Sequence, residues 1–343
     1  MEMKHWHPPE DWLQIRTIDA HTGGEPFRII VDGFPALPGD TVLARRRYAR
    51  EHLDTIRTML MLEPRGHPDM YGCILTPPDR PDSALGVLFL HNEGYSTMCG
   101  HGIIALSKAL VDTGQIPRSG PDTEIRIDSP AGQIVATAHS VGGTVKSVSF
   151  LNVPSFVVAL DQQVDVPGLG QVQYDLAFGG AFYAYVDAAS VGVSCRPEKA
   201  RYLIDKGRAI KKAVMKQRTI THPVDEDLGF LYGVIFVGPA ERSAHHSRNV
   251  CVFAEGEVDR SPTGTGVSGR LAVHHARGEI GIGESIVIES ILGSTFSCQV
   301  AEEVTFGPYA SIVPRVEGTA HITGQHTFLV DPEDPLRDGF FLR

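Results

Sequence analysis

Cys99 is the residue in this chain best placed to do chemistry. It sits in Met98-Cys99-Gly100-His101-Gly102, between an apolar run, Leu85-Gly86-Val87-Leu88-Phe89-Leu90, and an apolar-periodic segment, 103–110. The first predicts a strand and the second a helix. Cys99 is therefore expected at a loop-to-helix junction, beside two glycines that leave the backbone N–H groups open. A helix N-terminus carries unpaired N–H donors and a positive partial charge. Such a site binds carboxylates and lowers a thiol's pKa. One position thus combines an anion hook with a thiolate base. The plainer account of the same residues is a buried structural cysteine ahead of a core helix.

The chain builds this unit twice. The second copy is Asp259-Arg260-Ser261-Pro262-Thr263-Gly264-Thr265-Gly266. Thr263 aligns with Cys99 at an offset of 164, which also places Gly264 on Gly100, Gly266 on Gly102, Gly278 on Gly114 and Ile280 on Ile116. Two loop–helix–Gly units in one register predict a duplicated fold. Two lobes would then face one cleft, each aiming a helix N-terminus at it, with a ligand carboxylate held by both.

The elements that must position these residues follow the same order in each half. A strand at 15–19 runs through His21-Thr22-Gly23-Gly24-Glu25-Pro26 into a second strand at 27–31; in the second half, 172–176, Gly179-Gly180 and 182–186 mirror it. Residues 41–61 and 197–217 have helical periodicity, and Arg45, Arg46, Arg47 and Arg50 of the former are expected on a solvated face. The loop Glu63-Pro64-Arg65-Gly66-His67 either borders the cleft or simply joins helix to strand. Short β-branched runs bounded by turn residues predict strands after each central helix. Many strands with one central helix per half indicate an α+β fold rather than alternating βαβ units. The apolar end of the tail, Phe340-Phe341-Leu342, is expected to pack against a lobe.

The chain has 343 residues, enough for two lobes, and its net charge of −10 argues against a nucleic-acid partner. No apolar run approaches the roughly 20 residues of a membrane span. Residues 1–11 lack the apolar core of a signal peptide. Five cysteines, Cys73, Cys99, Cys195, Cys251 and Cys298, are scattered without motif spacing. Together these features predict reduced thiols and a cytoplasmic location. Gly264-Thr265-Gly266-Val267-Ser268-Gly269 matches a dinucleotide-binding string, but a loop precedes it where a strand ending is required. The adjacent pairs His245-His246 and His274-His275 point apart on any regular element, and no zinc-type spacing occurs, so no metal site is expected.

Met98-Cys99-Gly100-His101-Gly102 and the Asp259 to Gly266 segment resemble the two signature motifs of the proline racemase family. Asp19-Ala20-His21-Thr22-Gly23-Gly24-Glu25-Pro26, Glu63-Pro64-Arg65-Gly66-His67 and Gly179-Gly180-Ala181-Phe182-Tyr183 extend the likeness over nearly the whole chain. The resemblance implies two pseudo-symmetric lobes of diaminopimelate-epimerase type. Each is a curled, mostly antiparallel sheet around a central helix, with the first lobe at 1–156 and 325–343 and the second at 157–324. It implies no cofactor, a homodimer, and proton transfer at the Cα of a proline-like amino acid. Carried over by position, Cys99 is the catalytic cysteine. Gly100, His101, Gly264 and Thr265 offer N–H groups to the carboxylate, and Asp259 with the His101 side chain meets the ring nitrogen. Thr263 departs from the family's second cysteine, and that variant implies dehydration of trans-3-hydroxy-L-proline.

The chemistry of the two residue types points the same way. Epimerisation needs proton transfer on both faces of Cα, and a Thr hydroxyl is far too weak an acid to serve as a base without activation. A one-base site can still eliminate a leaving group at C3. In trans-3-hydroxyproline the hydroxyl shares a face with the Cα hydrogen, so one base at Cys99 suffices for syn loss of water. The alternatives are a 4-hydroxyproline 2-epimerase or proline racemase working through water at Thr263, a non-catalytic amino-acid binder, and a nucleotide-dependent dehydrogenase.

Overall fold

Along Gly132–Val141, Ile134, Ala136 and Ala138 point inward while their neighbours are more exposed, the period-two pattern of a half-buried strand. Other strands, such as Leu85–His91 and Ser247–Phe253, are buried almost throughout. In the computed structural model, which describes residues 6–342, eighteen strands join into one continuous hydrogen-bonded sheet. The first half runs β1 (Leu13–Thr22), β2 (Glu25–Asp32), α1 (Val42–His52), α2 (Asp54–Met61), β3 (Tyr71–Thr76), β4 (Leu85–His91), β5 (Gly94–Ser96), α3 (Gly100–Asp112), β6 (Asp122–Ser129), β7 (Gly132–Val141) and β8 (Thr144–Leu151). The second runs β9 (Ser155–Val166), β10 (Gly170–Phe178), β11 (Phe182–Asp187), α4 (Ala200–Gln217), β12 (Leu231–Gly238), β13 (Ser247–Phe253), β14 (Glu257–Val258), α5 (Gly264–Ala276), β15 (Ser285–Glu289), β16 (Thr295–Phe306) and β17 (Tyr309–Gly318), followed by β18 (Ala320–Val330).

The pairings repeat strand for strand. β1–β2 is antiparallel and β2–β3 parallel; β10–β11 and β11–β12 match them. β4 pairs antiparallel with β3 and parallel with β6, as β13 does with β12 and β15. The fold is thus the α+β two-lobed architecture, with a sheet around α3 and another around α5. The lobes exchange their last strands: β18 pairs with β1, and β9 with β10. The boundaries expected at 156/157 and 324/325 both fall within strands. We therefore propose that the chain crosses between lobes near 152–154 and 319. β17, which pairs with both β8 and β9, joins the two sheets.

α3 is buried on nearly every side, which its apolar composition allows; Ile103, Ile104, Ala105 and Leu106 are fully covered. Burial of Ile103, Ile104 and Leu106 contributes about 1.5–3 kcal/mol each. α5 is equally enclosed although it carries Arg270, whose Nη1 donates to Asn249 Oδ1 at 2.7 Å. Gly114 and Gly278, just past the two helices, sit at φ +75° and +71°, the left-handed conformation that ends a helix cheaply with glycine.

Two local expectations change. The helix expected over 41–61 breaks at Leu53, which caps α1 at φ −128° while its N–H still bonds Ala49 O. Arg45 and Arg46 are buried rather than solvated, their guanidinium groups donating to the carbonyls of Pro77 and Tyr95. Periodicity could not reveal that, because it counts charge and not acceptors. The Glu63 to His67 loop is half-buried, with Pro64 and His67 exposed and Arg65 O accepting from Arg28 Nη1, and the tail packs back on it as expected, Phe340 N donating to Glu63 O. No helix among the described residues is long and apolar enough to cross a membrane.

Candidate active site

α3 and α5 meet end to end at glycine. A Cβ on Gly100 would lie 2.5 Å from Gly264 Cα, and one on Gly264 would lie 2.6 Å from Gly100 Cα. Only glycine permits this approach. The first intrahelical bonds are those of Ile103 N to Cys99 O and Val267 N to Thr263 O. The N–H groups before them lack helical acceptors. Gly102 N donates to Cys99 Sγ at 3.2 Å, leaving Gly100, His101, Gly264 and Thr265 to present theirs where the two positive helix ends converge.

Cys99 caps α3 with extended backbone and is 4% exposed. The His101 ring stands against it, with Nδ1 and Nε2 at 3.3 and 3.5 Å from Sγ. That ring is wedged edge-on between Phe27 and Tyr71. The thiol's pKa was expected to be lowered by the helix end. It is instead pushed well up, because burial outweighs the Gly102 N–H and the charges of Asp259 and Glu25 add to it. Burial likewise holds His101 below the usual imidazole range, although Asp259 opposes this. The resting pair is a neutral thiol beside a neutral imidazole, so the thiolate has to be made by passing a proton to the ring.

Thr263 faces this pair from the other lobe and is not its mirror image. It adopts φ +69°, a strained conformation for a β-branched residue, and its side chain does not cap α5. Thr263 Oγ1 is buried and makes no well-formed hydrogen bond among the described residues, although it lies near enough to the Cys251 thiol to favour that thiol's ionised form. Burial nevertheless keeps Cys251 neutral. The Thr263 side of the cleft therefore holds no ready base.

Cys99, Gly100, His101, Asp259, Thr263, Gly264 and Thr265 all line one narrow space of about 20 Å³, room for about one water molecule and far smaller than a ligand pocket. All seven site residues expected from sequence thus converge. Asp259 is 4% exposed, with Oδ1 accepting from Ser261 N at 2.7 Å. Sequence reasoning missed the aromatic walls. Tyr71 and Tyr232 join hydroxyls at 3.0 Å, Tyr232 stacks on Phe253, and Tyr183 bonds Thr265 Oγ1 at 2.7 Å. Strand alternation places such residues on an inner face, but nothing in it separates a cavity wall from ordinary core. Larger surface grooves beside α4 lie away from these residues.

The family model for proline racemase matches residues 17–341. The chain is 51% identical to a trans-3-hydroxy-L-proline dehydratase of Colwellia psychrerythraea, over 100% of this chain and 98% of the relative. It is 45% identical to a 3-hydroxyproline 2-epimerase of Burkholderia multivorans, over 96% and 98%. The crystal structure of a hydroxyproline epimerase from Agrobacterium vitis with bound trans-4-hydroxy-L-proline superimposes with a TM-score of 0.93 at 31% identity, covering 97% of this chain and 96% of that one.

Proposed function

The chain belongs to the proline racemase family, and from that premise we propose that it dehydrates trans-3-hydroxy-L-proline to Δ1-pyrroline-2-carboxylate. The observation that carries this reading is the asymmetry of the cleft: a thiol with an adjacent imidazole on one side, and a threonine without an activating base on the other. The dehydratase relative at 51% identity supports the same substrate.

Each residue takes a role. The N–H groups of Gly100, His101, Gly264 and Thr265 hold the substrate carboxylate and stabilise the negative charge that grows on it as the Cα proton leaves. Asp259 pairs with the ring ammonium, which keeps the Cα hydrogen acidic. His101 accepts the Cys99 proton, and the thiolate removes the Cα hydrogen. The imidazolium, on the same side as Cys99, returns its proton to the departing 3-hydroxyl, which leaves as water. Cys99 is again a thiol and His101 again neutral, so the site is reset without a cofactor. The enamine then tautomerises to the cyclic imine. Thr263 fills the second face and excludes a second base.

Proton NMR of trans-3-hydroxy-L-proline and trans-4-hydroxy-L-proline, run in parallel in deuterated water, tests the reading. Loss of the first to the imine with little inversion of the second is expected. Inversion of the second as fast as dehydration of the first would overturn it, and so would 2-epimerisation of 3-hydroxyproline as the main product.

Two substitutions probe the roles. Asp259→Asn is expected to lower kcat/KM by roughly 10–100-fold, the worth of one hydrogen bond to a charged group; steady-state kinetics with unchanged values would remove Asp259 from the site. Thr263→Cys replaces a strained β-branched residue with a thiol across from Cys99. It is expected to gain α-deuterium incorporation with inversion on proline or 4-hydroxyproline, read by chiral chromatography, while dehydration persists. Family resemblance also supports a homodimer in the cytoplasm with a complete cleft in each subunit, which light scattering checks for the oligomer.

A further inference from the structure

Glu25 opens β2, and its carboxyl is completely covered, at 0% exposure. Oε2 accepts the backbone N–H of Arg260 at 2.7 Å, so a residue of the first lobe grips the loop that carries Asp259 in the second. The other oxygen, Oε1, has no hydrogen-bond partner among the described residues. A buried carboxylate oxygen left unpaired is costly, whereas a protonated one is a donor that can be aimed.

The charges around it lead to the same place. Three carboxyl groups converge from three segments: Glu25 from β2, Asp69 from the loop before β3, and Asp259 from the loop before α5. The Arg260 guanidinium reaches two of them. It lies 2.7 Å from Asp69 and 3.9 Å from Glu25. The thiols of Cys99 on α3 and Cys251 on β13 also feel the Glu25 charge. At 3.9 Å the Arg260 cation is beyond hydrogen-bond distance of the buried Glu25 carboxyl, and a further negative charge appears when Cys99 ionises. Burial first, and then the charge of Asp259, hold Glu25 well above the usual carboxyl range against the opposing pull of Arg260.

Resting on the dehydratase reading, we propose that Glu25 is a positioning residue that works as a neutral carboxylic acid: its Oε2 holds the Arg260 backbone, and with it the loop that presents Asp259 to the substrate's ring nitrogen. The Asp259 loop is thereby oriented, and the negative charge facing the Cys99 thiolate is reduced. Glutamine is the near-isostere of this form, since its amide oxygen accepts from Arg260 N–H and its amide nitrogen donates.

The first test needs no turnover. Infrared difference spectra of wild type against E25Q near neutral pH should show a protonated-carboxyl C=O band in the wild type that shifts in deuterated water. Its absence would overturn the proposal, whatever the enzyme's substrate proves to be. The second test is kinetic. E25A is expected to lose at least about tenfold in kcat/KM, the size of one hydrogen bond to a charged group, and E25Q to restore most of that loss. The sign of the pH effect is fixed: wild-type kcat should fall as pH rises through the Glu25 ionisation, and E25Q, which cannot ionise, should lack that limb. A folded E25Q as impaired as E25A would overturn the proposal. Absence of dehydration in the wild type would defeat the substrate assignment and leave the infrared result standing.

Discussion

Cys99→Ser is expected to reduce dehydration of trans-3-hydroxy-L-proline by about 10²–10⁴-fold, the usual worth of a positioned acid–base group. Serine keeps the shape of the site: its hydroxyl can still accept from Gly102 N, as Sγ does at 3.2 Å, so α3 remains capped. It cannot keep the chemistry, because His101, itself held neutral by burial, is far too weak a base to ionise an alcohol. Binding of pyrrole-2-carboxylate, a planar analogue, should survive, because the carboxylate is held by N–H groups that the substitution leaves in place. Coupled assay of the imine and calorimetry of analogue binding separate the two effects. Retention of a tenth of wild-type activity would exclude Cys99 as the base.

Gly264→Ala should be nearly as damaging, by a different route. The new methyl would lie 2.6 Å from Gly100 Cα, where backbone meets backbone and neither side can rotate away. The lobes must part by a fraction of an ångström or more. Overpacking of this kind costs about 1–3 kcal/mol in stability. Misplacing the carboxylate cradle by about 1 Å costs roughly 100-fold in rate. Gly278→Ala is the control. It also strains the backbone, at φ +71°, but its Cβ would meet nothing within 4 Å. Thermal unfolding should show a loss of about 1–2 kcal/mol there, as expected for a residue other than glycine in a left-handed conformation, with kcat/KM unchanged. Equal activity losses in the two variants would mean that stability, not the contact between the lobes, limits the rate.

Much of this protein was legible in the chain because its information is local or repeated. Gly23 and Gly24 predict a two-residue hairpin turn, and the turn forms at φ +61° and +97° between paired Thr22 and Glu25. The common offset of Cys99 and Thr263 predicts two equivalent helices, and they face each other. Glycine at 100, 102, 264 and 266 predicts N–H groups left open at the helix ends, not that these glycines are also points of close approach. The structure shows what approaches: the opposite helix end for Gly100 and Gly264, the Phe27 ring for Gly102, and Ile235 for Gly266.

What sequence by itself determined, then, was the set of reacting groups and the duplicated frame, since residue type, spacing and periodicity are properties of the chain. Tertiary structure decided their electrostatic state. The same helix N-terminus that should lower the Cys99 pKa sits in a cavity so enclosed that loss of hydration dominates and raises it. Glu25 is an ordinary turn residue in sequence, and only burial beside Asp259 and Arg260 makes its charge untenable. Thr263 appears equivalent to Cys99 by offset, but a left-handed φ turns its side chain away from the cap. Arg46 appears solvated by periodicity, yet it is buried against the Tyr95 carbonyl. In each case the outcome depends on how much water the folded chain excludes and on which distant groups arrive to replace it. Those quantities are set by packing between segments far apart in sequence, and no local pattern encodes them.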